Sequence, residues 1–141
     1  MKTKQIQIEE ILNRGVEEII DRANLEKKLQ SGQILRIKLG IDPTSKNIHL
    51  GRAIPLLKLR DFQQAGHQIV FIIGDFTGVI GDTSDKDSER PMLSEEMVKE
   101  NLQTYIAQAA KIIDINKTEI HYNSEWLKTL TYKEISHQAN A

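Results

Sequence analysis

Cysteine is absent from the 141-residue chain. Disulfide staples and thiolate metal sites are therefore excluded, which is compatible with a reducing cytoplasm. Long apolar runs are missing too. No stretch approaches the ~20 consecutive apolar residues of a membrane span, and the opening MKTKQIQIEEILNRG lacks the apolar core of a signal peptide. Neither charge sign is in excess: 19 Lys and Arg face 20 Asp and Glu, a net charge of −1. That removes a whole-chain electrostatic case for nucleic acid or an anionic membrane, while leaving room for a local basic site. Internal repeats, low-complexity tracts, a Walker A loop and a GxGxxG motif are all lacking. What is left is one domain's worth of chain, expected to be cytoplasmic. A domain of ~150 residues buries roughly 70% of its unfolded surface.

Apolar spacings of three and four up to Gln30 predict helix, with breaks at Gly15 and near Asn24 making two short helices. Ile34 to Gly40 alternates apolar and basic residues, a strand pattern closed by glycine. Residues 53–66 read as a helix, with Pro55 in its first turn and Gly66 as its stop. Gln68 to Asp75 is a β-branched and aromatic run, which predicts a strand buried on both faces. Ser94 is an N-cap for a helix running to about Ile113, Thr118 to Asn123 reads as a third parallel strand, and a last helix starts near Thr131. Trp126 is expected to pack beside Leu127 and Leu130, and His67 to act at a helix C-terminus. The pattern is α/β: residues 1–33 form an N-terminal helical segment and 34–141 part of a Rossmann-like parallel sheet with flanking helices.

In such sheets ligands bind beyond the carboxyl ends of the strands. Two unusual loops lie there. The first, GIDPTSKNIHLGRA, leads into a helix starting near Gly51, whose free N–H groups favour an anion. His49 and Thr44 can each donate a hydrogen bond to a phosphate oxygen, and Gly51 lets a ligand lie against the backbone. By itself the spacing is equally compatible with an Asp42-Pro43 turn and a packed or capping His49. The second loop, GDFTGVIGDTSDKDSER, has Gly74, Gly78 and Gly81 interrupting an apolar run after a buried strand, which implies a close approach to the backbone. Asp75 and Asp82 suit an ammonium group; Lys86 and Arg90 suit pyrophosphate. His67, His121 and His137 have no neighbouring ligands in sequence, so no metal site is expected.

Taken together, KLGIDPTSKNIHLGRA, KLRDFQQAGHQIVFIIGDFTGVIGD and HYNSEWL resemble, in order and from Leu35 to Leu130, the bacterial tyrosyl-tRNA synthetases. These are class I enzymes with GFDPT and HIGH-type signatures. The resemblance implies the N-terminal half of a class I catalytic fold, in which tyrosine attacks the ATP α-phosphate and the tyrosyl group then passes to tRNA(Tyr). It further implies ATP as substrate, with Mg accompanying it, L-tyrosine and tRNA(Tyr) as partners, and a homodimer for the full-length enzyme, away from any membrane. By position it assigns Asp42, Pro43, Thr44, His49, Gly51 and Arg52 to ATP. It assigns Asp82, with Asp75 nearby, to the tyrosine ammonium, and His49, Arg52, Lys86 and Arg90 to the reacting phosphates. Two departures stand out. Arg52 replaces the second signature histidine, and GDTSDK replaces GDPTGK, adding Asp85 beside the pyrophosphate path. The KMSKS loop, the rest of the tyrosine pocket and the anticodon-binding region are expected to follow residue 141, with apolar surface left on an open sheet edge. A nucleotide-binding module without catalysis is the alternative.

Overall fold

The computed structural model describes residues 4–80 and 94–140. Strands β1 (Arg36–Ile41), β2 (Gln68–Ile73) and β3 (Thr118–Tyr122) form a parallel sheet in the order β1-β2-β3. Ile41 pairs with Ile73, and Ile73 with Tyr122, so the three carboxyl ends finish level. The central strand is buried over most of its length, as its unbroken apolar run requires.

The N-terminal region forms the two short helices α1 (Lys4–Asn13) and α2 (Arg22–Ser31), separated by a turn containing Gly15. The long crossover helix α3 (Leu50–Gln64) begins one residue before the expected Gly51. Pro55 is therefore its sixth residue, not part of its first turn, and the Gly51 carbonyl lacks its i+4 donor. Two short helices went unread in the sequence: α4 (Thr77–Ile80) and α6 (Ser124–Leu127) are single turns, too brief to show periodicity. Between them, α5 (Glu95–Ala109) starts on Ser94, whose side chain accepts from the Met97 N–H at 3.2 Å. It stops four residues before the predicted Ile113, which a turn carries into the core. The last helix, α7 (Tyr132–Ala139), opens on a capping box between Thr131 and Glu134.

One cluster forms the core. Ile8, Ile11 and Leu12 of α1, Leu29 of α2, and Leu56, Leu59 and Phe62 of α3 meet Ile69, Phe71 and Ile73 of β2, with Ala109 and Ile113 closing it. The strand contributes alternate residues, as a period of two dictates, and each large side chain buried stabilises by about 1.5–3 kcal/mol. The N-terminal helices share this core. Lys58 reinforces the junction by donating to the carbonyls of Glu10, Ile11 and Arg14 at the end of α1 (3.3, 3.0 and 2.6 Å). Trp126 departs from expectation: it is 43% exposed. On a single helical turn neighbouring residues diverge by ~100°, and Leu127 takes the more sheltered side.

Candidate active site

The carboxyl ends of the strands are tied together by polar side chains. Asp42 is the first residue beyond β1, and its carbonyl accepts the Thr44 N–H at 2.9 Å, closing the Asp42-Pro43-Thr44 turn. Its carboxylate reaches across to the first residue of α4, just beyond β2, where Oδ1 accepts from Thr77 Oγ1 at 2.7 Å. This explains Gly74: a Cβ there would lie 1.7 Å from Asp42 Oδ1 and 2.5 Å from Thr77 Oγ1. The close approach implied by the second loop's glycines is thus made at Gly74 by the protein's own first loop, whereas Pro43 lies only at ordinary contact distance from Gly78, 3.4 Å from where a Cβ would sit. Thr77 in turn accepts from Asn123 Nδ2 at 2.7 Å, and Asn123 Oδ1 accepts the Phe76 N–H at 2.9 Å. Asn123 stands at the end of β3 and is buried. A directed chain, Asn123 to Thr77 to Asp42, therefore spans all three strand ends.

Helix α5 holds the rest of the first loop. Asn101, Thr104, Tyr105 and Gln108 recur at spacings of three and four, so they share one face. Buried Asn101 donates to the Pro43 carbonyl at 2.9 Å. Thr104 and Gln108 both donate to the Lys46 carbonyl (2.7 and 2.9 Å), and Gln108 Oε1 accepts the Ile48 N–H at 2.9 Å. Lys46 and Glu100 add an exposed ion pair at 2.7 Å.

His49 occupies the N-cap position of α3 with an extended backbone (φ −73°, ψ 164°), yet its side chain makes no capping hydrogen bond. It is exposed, and its ring lies over Gly51, where a Cβ would sit 3.2 Å from Cε1 and Nδ1. The capping alternative for His49 is thereby removed. The first N–H groups of α3 keep their anion-favouring character. The Arg52 guanidinium is engaged by the protein itself: it donates to the Asp42 carbonyl at 3.1 Å, to Thr44 Oγ1 at 2.7 Å and to the hydroxyl of fully buried Tyr105.

Of the remaining candidates, Asp75 is half-buried and accepts the Ser124 N–H at 2.9 Å, securing α6. Asp82, Lys86 and Arg90 lie outside the described residues. His67 is at the opposite end of the sheet. Among the described residues no group of three His, Asp or Glu side chains is placed to hold a metal ion, and no helix is long and apolar enough to cross a membrane. Sequence reading missed Asn101, Tyr105, Thr77 and Asn123. The polar stripe on α5 was the one signal available for the first two.

A level-ended parallel α/β sheet with a polar cluster at its carboxyl mouth defines a Rossmann-like domain, the class of sheet in which ligands bind beyond the carboxyl ends of the strands. Comparison with known proteins gives the family: residues 30–140 match the model for tRNA synthetases class I (W and Y), and the chain belongs to that family. It is 50% identical over 121 residues to a tyrosine–tRNA ligase of Aromatoleum aromaticum, covering 86% of this chain and 30% of that protein. Its identity to the Haemophilus influenzae tyrosine–tRNA ligase is 52% over 119 residues, covering 84% and 30%. The chain thus spans about a third of the length of these relatives. A tyrosyl-tRNA synthetase of Archaeoglobus fulgidus solved with L-tyrosine shares the fold, with a TM-score of 0.73 over 98% of this chain and 40% of that one, at 19% identity.

Proposed function

We propose that this chain supplies the ATP-phosphate side of a tyrosine-activating site. The observation that carries the reading is the uncapped start of α3 at the carboxyl mouth, with His49, Thr44 and Asp42 gathered beside it. In the proposed reaction a tyrosine carboxylate oxygen attacks the ATP α-phosphorus, pyrophosphate leaves, and tyrosyl-adenylate forms. The tyrosyl group then passes to tRNA(Tyr). His49 and the first N–H groups of α3 face the phosphates, where placed donors lower the barrier as charge shifts to the leaving pyrophosphate. Thr44 donates its hydroxyl, and Gly51 leaves room beside the His49 ring. Asp82, with Asp75, takes the tyrosine ammonium, and Lys86 and Arg90 take pyrophosphate. Mg²⁺ arrives with ATP as part of the substrate. The full-length enzyme acts in the cytoplasm as a homodimer.

Two measurements test this. ATP with Mg²⁺ at a hundred times its dissociation constant stabilises a binding protein by ~2.7 kcal/mol, so a raised Tm is expected, and an unchanged Tm at millimolar ATP overturns the reading. Tyrosine-dependent exchange of labelled pyrophosphate into ATP then separates an activating enzyme from a module that binds the nucleotide without catalysis.

A further inference from the structure

Arg52 stands where the HIGH-type signature that the chain resembles has its second histidine, and the structure gives it a task the signature does not describe. We propose that Arg52 is a positioning residue. It locks the Asp42–Thr44 turn to Tyr105 and fixes the Thr44 hydroxyl as a hydrogen-bond donor toward a phosphate ligand in the mouth. The inference rests on the nucleotide reading above and deepens it.

The argument is one of hydrogen-bond direction. A guanidinium has donors only, so in its 2.7 Å contact with Arg52 Nη2 the Thr44 oxygen must accept. A hydroxyl has one proton and two lone pairs. With a lone pair committed to Arg52, the proton is available for another acceptor. Thr44 itself is fixed, because its N–H is spent on the Asp42 carbonyl at 2.9 Å. A charged donor behind the oxygen also polarises the O–H bond and makes it a stronger donor.

The second part of the argument is where the guanidinium is anchored. Nη1 donates both to the Asp42 carbonyl at 3.1 Å and to the hydroxyl of Tyr105, a residue with no exposed surface. All three acceptors are neutral and belong to the protein. One side of the turn is thus bound through Arg52 to α5, while Asn101 binds the neighbouring Pro43 carbonyl to the same helix at 2.9 Å. A histidine in place of Arg52 is too short to reach acceptors on both the turn and α5. The arginine therefore serves the phosphate site through Thr44 and the turn, without itself being the ligand.

The test uses the 141-residue chain, with ATP and Mg²⁺ as probe. Thermal unfolding of Arg52→Met, Tyr105→Phe and the double variant measures the anchor. The double variant should melt no lower than the worse single one, since both remove the same contact; additive losses overturn the anchor. Titration of ATP into wild type, Thr44→Val, Arg52→Lys and Thr44→Val/Arg52→Lys measures the hydroxyl's role. Lysine keeps the charge but not the two-pronged geometry. Thr44→Val and Arg52→Lys should each weaken ATP about tenfold, the order expected for one hydrogen bond to a charged group, and the double variant should weaken it no further. If the losses multiply, Arg52 contacts ATP directly and the inference falls. If Arg52→Lys leaves ATP affinity intact while Thr44→Val lowers it, Arg52 does not act through Thr44. A wild-type chain silent to ATP overturns the nucleotide reading and the ligand half of this inference together; the unfolding cycle then decides the anchor alone.

Discussion

Helix α3 has two ends that treat their backbone groups in opposite ways. At its C-terminus, Gly66 takes the left-handed conformation (φ +90°), its N–H binds the Gln63 carbonyl at 3.0 Å, and the His67 N–H binds the Phe62 carbonyl at 3.1 Å. That is a complete Schellman motif, sealed by the His67 ring packing on Phe62 with centroids 5.9 Å apart. His67 also accepts the Leu35 N–H on Nδ1 at 3.2 Å, tying the entry of β1 to the same corner. At the N-terminus, His49 caps nothing, Leu50 is 80% exposed, and Pro55 withholds a donor from Gly51. One end is closed for stability and the other left open. The open end is the one at the mouth of the sheet. The first N–H groups of α3 are left to solvent or to a ligand, so the contrast marks the end at which the proposed phosphate contacts would form.

The largest expected effect probes what surrounds the open end. Gly74→Ala puts a methyl group on the position of the Asp42 carboxylate, and the turn must move. Overpacking plus the lost Thr77 hydrogen bond should cost about 3 kcal/mol or more, read by urea unfolding, and ATP should no longer raise Tm. A well-folded Gly74→Ala chain with an intact ATP response would show that Asp42 has no fixed place in the site. Gly66→Ala is the matched change at the closed end. A side chain in the left-handed region costs about 1–2 kcal/mol, and here the ATP response should survive. Loss of that response would mean that the two ends are not independent.

A third test uses pH. Burial, aided by the nearby Lys4 ammonium, holds the His67 pKa below its usual 6.5, and a proton on Nδ1 would displace the Leu35 N–H. Below pH 6.5 the unfolded chain therefore takes up the proton more readily than the folded one. Stability rises with pH through the window just under 6.5 and is lost as pH falls through it. Replacing His67 with Gln should flatten that part of the profile, measured by urea unfolding from pH 5 to 7. An equally sloped profile would assign the dependence to other groups.

How much of this contrast could be read in advance follows from its physics. The closed end was legible because Ala65-Gly66-His67 carries its own local signal: glycine at the stop, then a residue to pack back. The strands were legible from local signals too: β1 from its alternation of apolar and basic residues, β2 from its unbroken β-branched and aromatic run. The open end was half legible. The Asp-Pro turn, His49 and Gly51 stood out, but Pro55 suggested a later start to the helix than Leu50. The long-range clasp was hidden. Tyr105 meets Arg52 across 53 residues and Asn123 meets Thr77 across 46, and no local spacing encodes such pairs. Gly74 stood out for close backbone approach, but the group approaching it was Asp42 and not a ligand.

The smallest expected effect is the sharpest. His49→Ser gives α3 the side-chain cap it lacks, since a serine oxygen at this extended position can accept from the N–H two or three residues on. Because the His49 ring is exposed and accepts no capping bond, little packing is lost in exchange. Stability should therefore rise by ~1 kcal/mol at most, a small upward shift in Tm without ligand. The same hydroxyl occupies a helix N–H that a phosphate would otherwise meet, and the imidazole donor is gone. The Tm gain from ATP should accordingly shrink. His49→Ala separates the two contributions: it removes the imidazole without adding a cap, so it should leave the ligand-free Tm nearly unchanged while still reducing the ATP response. If His49→Ser destabilises the chain, the histidine already satisfies the helix in solution and the open end is not open. If it stabilises the chain and ATP still shifts Tm as in wild type, the end is open but phosphate binds elsewhere in the mouth.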